Sequence, residues 1–293
     1  MAQPLVLELR FRLGNQLFQY AAGRAAAHRT GADLVIDPRV IEAQEGVKYE
    51  LHHFNVQARM AEPHELPADR KPPVPHRFHK LYHAVRRTRM IETRDDFNPR
   101  GLRPRPATWL RGFWLHEAYF ADAADLIREE LRVIDPPSDQ DRAVEAAIGS
   151  AACPVSVHVR RGDYTGLVDK VTQLGPDYYA RAAQRLLQEI DQPPTFFVFS
   201  DDPQWAEQAL ELPGPTVIVS HNTGETAHHD LRLMSLCHHH LIANSTFSWW
   251  GAWLNPSPDK RVLTPSIWCD PQWWRTEQLN LKDWIQVPVE SVG

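Results

Sequence analysis

VSVHVRRGDY, residues 155–164, alternates valines in the manner of a strand and then delivers Arg160, Arg161 and Asp163 with no spacer. Two adjacent guanidiniums at a strand's end are costly to bury unless an anion meets them. In an open α/β sheet, ligands bind beyond the carboxyl ends of the strands. The stretch therefore points to a layered α/β fold and to an anionic ligand. A structural ion pair among Arg160, Arg161 and Asp163 is the plainer alternative.

Working outward, the C-terminal half alternates regularly. Strands are expected at Val155–Val159, Thr195–Ser200, Thr216–Ser220, His240–Ala243 and Arg261–Thr264. Helices are expected at Asp177–Ile190, Pro203–Leu210, Asp230–Leu236 and Phe247–Leu254. Strands alternating with short helices mean βα units and a parallel sheet. The N-terminal half opens in the same way: strand Pro4–Leu9, an alanine-rich helix Leu17–Arg29, Gly31 for the left-handed residue after it, and strand Asp33–Asp37. From Arg59 to Arg105 the pattern dissolves. This stretch is locally basic, twelve Lys/Arg against six Asp/Glu, with at best a short helix near Phe78–Arg89. A strand (Thr108–Trp114) and a helix (Glu117–Leu131) follow, and the turn-rich, Pro-flanked stretch 134–154 predicts a domain boundary. The expected architecture is two Rossmann-like, doubly wound domains, 1–150 and 151–293, facing across a cleft.

Composition narrows the function. The 293 residues are 43% hydrophobic and 24% charged, with a net charge of −5, which argues against general nucleic-acid binding. Three scattered cysteines form no CxxC pair, as expected for a reducing compartment. The N-terminus lacks a basic, apolar, small-residue leader, and no apolar run approaches the roughly 20 residues of a bilayer span. The expected location is cytosolic or, at most, peripheral to a membrane.

Four stretches carry chemistry. In FRLGNQLFQY, residues 11–20, Gly14 stands between strand and helix, and the amides of Asn15 and Gln16 follow; this is either a polar-ligand site at a helix start or an ordinary turn capped by Asn15. In HVRRGD, arginine forks suit a phosphate, while His158 is either a core histidine or a hydrogen-bonder to a base edge. In FFVFSDDPQ, Asp201 and Asp202 end an apolar strand before Pro203; one either caps the next helix or accepts from the N–H edge of guanine. In HLIANSTFSWWGAW, Asn244, Ser245 and Thr246 precede a helix, where hydroxyls and free N–H groups favour phosphate. Trp249, Trp250 and Trp253 read as core. His238–His240 is a poor metal tract, because neighbouring strand residues face opposite sides. Asp139-Gln140-Asp141 reads as a helix's first turn. Three of these sites together suit a guanine nucleoside diphosphate.

These motifs, in this order, resemble the α1,2-fucosyltransferases of glycosyltransferase family 11. RGFWLHEAYF (111–120) and LTPS (263–266) add to the likeness, which spans all but about residues 40–105. The resemblance implies a GT-B fold, GDP-β-L-fucose as donor, inversion at the anomeric carbon, no required metal or other cofactor, and the 2-hydroxyl of a galactose-containing oligosaccharide as acceptor. On this sequence it makes Arg160 the main pyrophosphate ligand, with Arg161 supporting the loop. Ser245 and Thr246 become phosphate contacts, and His158 with Asp202 or Asp201 guanine contacts. Phe11 stands where the family usually has glycine. For the base that takes the acceptor's proton, Asp169 is the first candidate and Asp163 the second. The acceptor glycan and the oligomeric state stay open.

Overall fold

The computed structural model describes residues 4–66, 77, 90–93, 97–105, 108–167, 169–272 and 276–289. Strand β1 (Leu5–Glu8) is buried at every position and pairs in parallel with β2 (Leu34–Asp37), Leu5 against Leu34 through Glu8 against Asp37. Between them runs α1 (Leu13–Thr30), closed by Gly31 at φ 66°, the left-handed conformation that glycine adopts without cost. Its small residues let it lie close to the sheet: a Cβ at Gly23 would stand 3.2 Å from Leu7 and 3.3 Å from Leu34. After the four-residue α2 (Arg39–Glu42) come β3 (Arg59–Met60), β4 (Met90–Thr93) and β5 (Trp109–Gly112). They complete a parallel sheet of order β3-β2-β1-β5-β4.

The irregular stretch 59–105 thus supplies two short strands, too brief to show a period in sequence. The helix expected near Phe78–Arg89 lies outside the described residues. The helix expected at Glu117–Leu131 begins only at α3 (Ala124–Glu130), after two 3-10 turns, the first capped by His116 accepting from the Ala118 N–H at 3.0 Å.

The chain divides into two compact units at Arg132/Val133, not at residue 150. Helix α4 (Asp139–Ser150) explains the difference, because its polar contacts run forward into the second unit. Asp141, fully buried, accepts from His221 Nε2 and Asn222 Nδ2, both at 2.9 Å, and Glu145 pairs with Arg232 at 2.9 Å. Ser138 and Asp141 form a capping box, so the Asp139-Gln140-Asp141 string is a helix start, as expected.

The second sheet joins β6 (Pro154–Val159), β7 (Thr195–Ser200), β8 (Thr216–Val219), β9 (His239–Leu241), β10 (Val262–Pro265) and β11 (Ile285–Val287) in the order β11-β10-β9-β6-β7-β8, all parallel. Helices α5 (Pro176–Leu187), α6 (Pro203–Ala209), α7 (Ala227–Leu236) and α8 (Thr246–Leu254) alternate with these strands. Trp249, Trp250 and Trp253 are core. Among the described residues no helix is long and apolar enough to cross a membrane.

The histidine run is packing, not a metal tract. Asn255 Nδ2 can only donate, so His240 Nε2 accepts from it at 2.9 Å and the His240 proton sits on Nδ1, facing Ser156 Oγ at 2.8 Å. His239 Nδ1 accepts from the Arg261 N–H at 2.9 Å. Burial, with neighbouring positive charge, pushes His239 down to about 4 and His240 well below its ordinary value. The unfolded chain takes up these protons first, so stability is present above pH ~6.5 and is lost as pH falls. Asp230, raised to about 6 by burial, acts in the opposite sense and offsets one histidine between pH ~4 and 6. The melting temperature should therefore fall between pH 7 and 5, and His239→Gln, which keeps an acceptor for Arg261, should flatten that slope. An unchanged slope contradicts the assignment.

Candidate active site

From β6 the chain winds outward through β7 to β8, then returns to place β9 on the other flank of β6. The winding direction reverses between β6 and β9. Loops after these two strands diverge and leave a crevice at their carboxyl ends, the preferred ligand position in such sheets. Arg160 to Gly166 follow β6, and Asn244, Ser245 and Thr246 follow β9.

The arginines are held by carboxylates from the neighbouring strand end. Val159 pairs with Ser200, which brings Asp201 and Asp202 beside Arg160 and Arg161. Asp201 accepts from the backbone N–H of Arg161 (2.8 Å) and of Gly162 (3.1 Å), and pairs with Arg160 Nη1 at 3.0 Å. Asp163 takes the Arg160 Nε (3.0 Å) and Nη2 (2.8 Å) on one oxygen. A guanidinium has five N–H groups; three of Arg160's are used, leaving one on each terminal nitrogen. Arg161 lies over Trp205, 4.1 Å from the ring centroid, and pairs with Asp202 Oδ2 at 3.3 Å. Asp202 Oδ1 meanwhile caps α6, accepting from the Trp205 N–H at 3.1 Å. The ion-pair reading of the opening stretch holds for Arg160 with Asp163, while Arg161 pairs with Asp202, and Arg160 keeps donors to spare. In this state Asp201 is occupied by the loop and Asp202 by its cap and Arg161, so neither carboxylate is free for a base edge.

His158, buried on β6, packs against Phe247 with ring centroids 5.5 Å apart, and its Nδ1 has no hydrogen-bond partner. Burial first and the Arg160 charge second push it down to about 3, so the ring is neutral and offers a hydrogen bond. Ser245 Oγ caps α8 through the Phe247 N–H at 3.3 Å, and Thr246 is the first helical residue. Asn244 is a brace. Its Nδ2 donates to the Thr172 carbonyl (2.8 Å) and the Trp268 carbonyl (2.7 Å), and its own carbonyl accepts from Tyr164 at 3.0 Å. Burial pushes the Tyr164 phenol up to about 12, so it stays a donor. These bonds tie the β6 loop to the β9 turn. Asp169 stands apart: it is exposed, with no side-chain hydrogen bond or ion pair among the described residues.

In the first unit the turn geometry differs from expectation. Gly14 and Asn15 already lie inside α1, whose N-cap is Arg12. The strained residue is Phe11, at φ 62°, stacked on Phe113 at 5.1 Å, with Trp114 also left-handed at φ 58°. Left-handed backbone is uncommon for bulky residues, so this turn carries strain. Gln16, fully buried, pins the turn: Nε2 donates to the Phe11 carbonyl (2.8 Å) and the Lys48 carbonyl (2.7 Å), and Oε1 accepts from the Glu50 N–H at 3.0 Å. Sequence reading singled out neither Tyr164 nor Trp205, and it read Gln16 as a polar amide at a helix start, not as the buried pin of the turn.

Comparison with known proteins gives the family. The model of Glycosyl transferase family 11 matches residues 6–288. The chain is 30% identical to an alpha-1,2-colitosyltransferase of Escherichia coli over 97% of its own length and 98% of the relative's. It is 25% identical to human galactoside alpha-(1,2)-fucosyltransferase 1 over 51% of this chain, spanning 43% of that protein. In structure it resembles the fucosyltransferase NodZ from Bradyrhizobium, with a TM-score of 0.54 at 17% identity, over 91% of this chain and 96% of that one. That likeness establishes a GT-B-like fold of two Rossmann-like units. With a family match over nearly its whole length, the chain belongs to glycosyltransferase family 11.

Proposed function

We propose that the protein is an inverting transferase that moves L-fucose from GDP-β-L-fucose to the 2-hydroxyl of a galactoside. The observation that carries the donor side is the crevice between β6 and β9. There a guanidinium with two unused N–H groups, a neutral histidine with an unpartnered Nδ1, and a capped helix N-terminus lie toward the carboxyl ends of two central strands. In this reading Arg160 and the first amides of α8 take the pyrophosphate, Ser245 and Thr246 add hydroxyls, and His158 meets the base. Arg161, stacked on Trp205 and paired with Asp202, keeps the loop in place. Negative charge grows on the departing GDP, so fixed donors stabilise the transition state more than the ground state. The second unit is then the donor side and the first the acceptor side. The α1,2 linkage is common to the names of the two relatives above, which supports the 2-hydroxyl. The colitosyltransferase relative favours a second reading, a GDP-colitose donor, a sugar differing from fucose in lacking one hydroxyl. An acceptor panel run with both donors separates the two: turnover with GDP-colitose alone overturns the fucosyl assignment, and turnover with neither overturns both.

Arg160→Ala should lose nearly all turnover while staying folded, a cost of about 3 kcal/mol or more for a charge-assisted contact at a growing charge. Arg160→Lys should also fail substantially, since a point charge does not reproduce the fork. Gly162→Ala reaches the same site indirectly. A Cβ there would stand 2.8 Å from Asp201 Oδ2, so it must displace the carboxylate that orders the loop. It should lower GDP affinity by about tenfold or more. Normal kcat/KM in these folded variants contradicts the roles.

The acceptor's proton needs a base. Asp163 is paired to Arg160, whereas Asp169 is the carboxylate of this loop that no arginine neutralises among the described residues. Asp169→Asn should lower kcat by ~10²–10⁴, the range for loss of a general base, with GDP affinity unchanged; normal turnover moves the base elsewhere.

Fixed positive charge takes the place of a metal in this scheme. Activity should survive EDTA, and loss on chelation that Mn²⁺ or Mg²⁺ restores reverses that view.

A further inference from the structure

The first unit carries a pocket that the nucleotide reading does not use. It has a volume of about 470 Å³ and lies at the carboxyl ends of β1 and β2, with Glu8, Asp37, Arg39, Val40 and Trp109 in its wall. That volume is within the roughly 300–1,000 Å³ usual for small-molecule sites. Register explains how the residues meet. Val6 pairs with both Val35 and Trp109, so Glu8, Asp37 and Trp109 share one face of the sheet. Leu7 and Leu34, on the opposite face, pack against α1.

Two carboxylates on this face are each 1% exposed, an arrangement that needs compensation on every lone pair. Asp37 has it, binding Arg39 in bidentate fashion through Nε at 2.8 Å and Nη2 at 2.7 Å. Glu8 does not. Arg10 and Arg111 both converge on its Oε1, Arg111 at 3.2 Å, and Oε2 accepts no hydrogen bond among the described residues. The indole Nε1 of Trp109 is likewise buried without a partner. The guanidiniums of Arg39 and Arg111 lie 5.9 and 5.6 Å from the Trp109 ring centroid, each side chain about a third exposed.

The wall therefore holds a carboxylate oxygen that no described residue fills, beside partly exposed arginines anchored on carboxylates. An anion meets Glu8, and a cation meets the arginines. A ligand whose groups both donate and accept satisfies both, and neighbouring sugar hydroxyls do so. We propose that this pocket binds a neutral hexose unit of the acceptor glycan, with Glu8 Oε2 accepting from one hydroxyl and Arg39 donating to another. The assignment rests on the glycosyl-transfer reading above.

Val40→Trp on α2 tests it, since Val40 is half-buried in the pocket wall and takes no part in the ion pairs. Lactose is the probe, titrated by saturation-transfer NMR with GDP at saturation, and GDP affinity is measured separately by calorimetry. The wild type should bind lactose. Val40→Trp should bind it at least tenfold more weakly, with GDP affinity and melting temperature unchanged. Glu8→Gln, in which an amide can replace the free oxygen, should weaken lactose in the same direction. Equal lactose affinity in wild type and Val40→Trp overturns the pocket, as does a wild type that binds GDP but no lactose. Failure of the wild type to bind GDP sinks the donor reading instead, and lactose binding lost in Val40→Trp would still uphold the pocket.

Discussion

The carboxylate of Asp201 is the contact on which the donor-side geometry depends. It stands at the end of β7 yet binds two backbone N–H groups and one guanidinium of the loop after β6. Parallel strands are joined only by ladder bonds, so this cross-strand clamp on the β7 side, with the Tyr164–Asn244 bond on the β9 side, sets the direction in which the β6 loop leaves the sheet. With it, Arg160 is oriented from two sides, and Gly162 is required to be glycine. Three carboxylates facing two arginines look like poor preparation for an anion. Two of them are partly committed to another task, Asp201 to backbone amides and Asp202 to a helix cap, and their role is to hold guanidiniums still, not to cancel them.

Much of the second unit was legible because its signals are local. An apolar strand followed by a polar pair repeats at β6, β7 and β9, and each such strand emerged within two residues of its expected bounds. The cap at Asp202 was legible too, since an aspartate before Pro-Gln-Trp reads as one, but its pairing with Arg161 was not. What sequence did not disclose are the long-range partners. Nothing near Asn244 announces that its amide braces Thr172 and Trp268, and nothing near Asp201 announces that its acceptors face a loop forty residues earlier. The boundary at residue 150 failed for the same reason. Turn chemistry at 134–138 is local, while the bonds that assign α4 to the second unit come from residues 221, 222 and 232.

The first unit was legible in its β1-α1-β2 start and obscure afterwards. Its two extra strands are short, and the left-handed residue in the turn before α1 is Phe11, not a glycine. A sequence reader assigns such a turn to Gly14 by default. The structure instead holds the strained turn with a buried glutamine, and strain retained at the end of a central strand belongs with sites that must keep one geometry.

A structure of the protein with GDP tests the central claim most directly. The account predicts the pyrophosphate within hydrogen-bond distance of the Arg160 guanidinium and the Thr246 N–H, with Asp201 still bound to the N–H groups of Arg161 and Gly162. GDP bound away from the β6–β9 crevice, or with Arg160 turned from the phosphates, would contradict it.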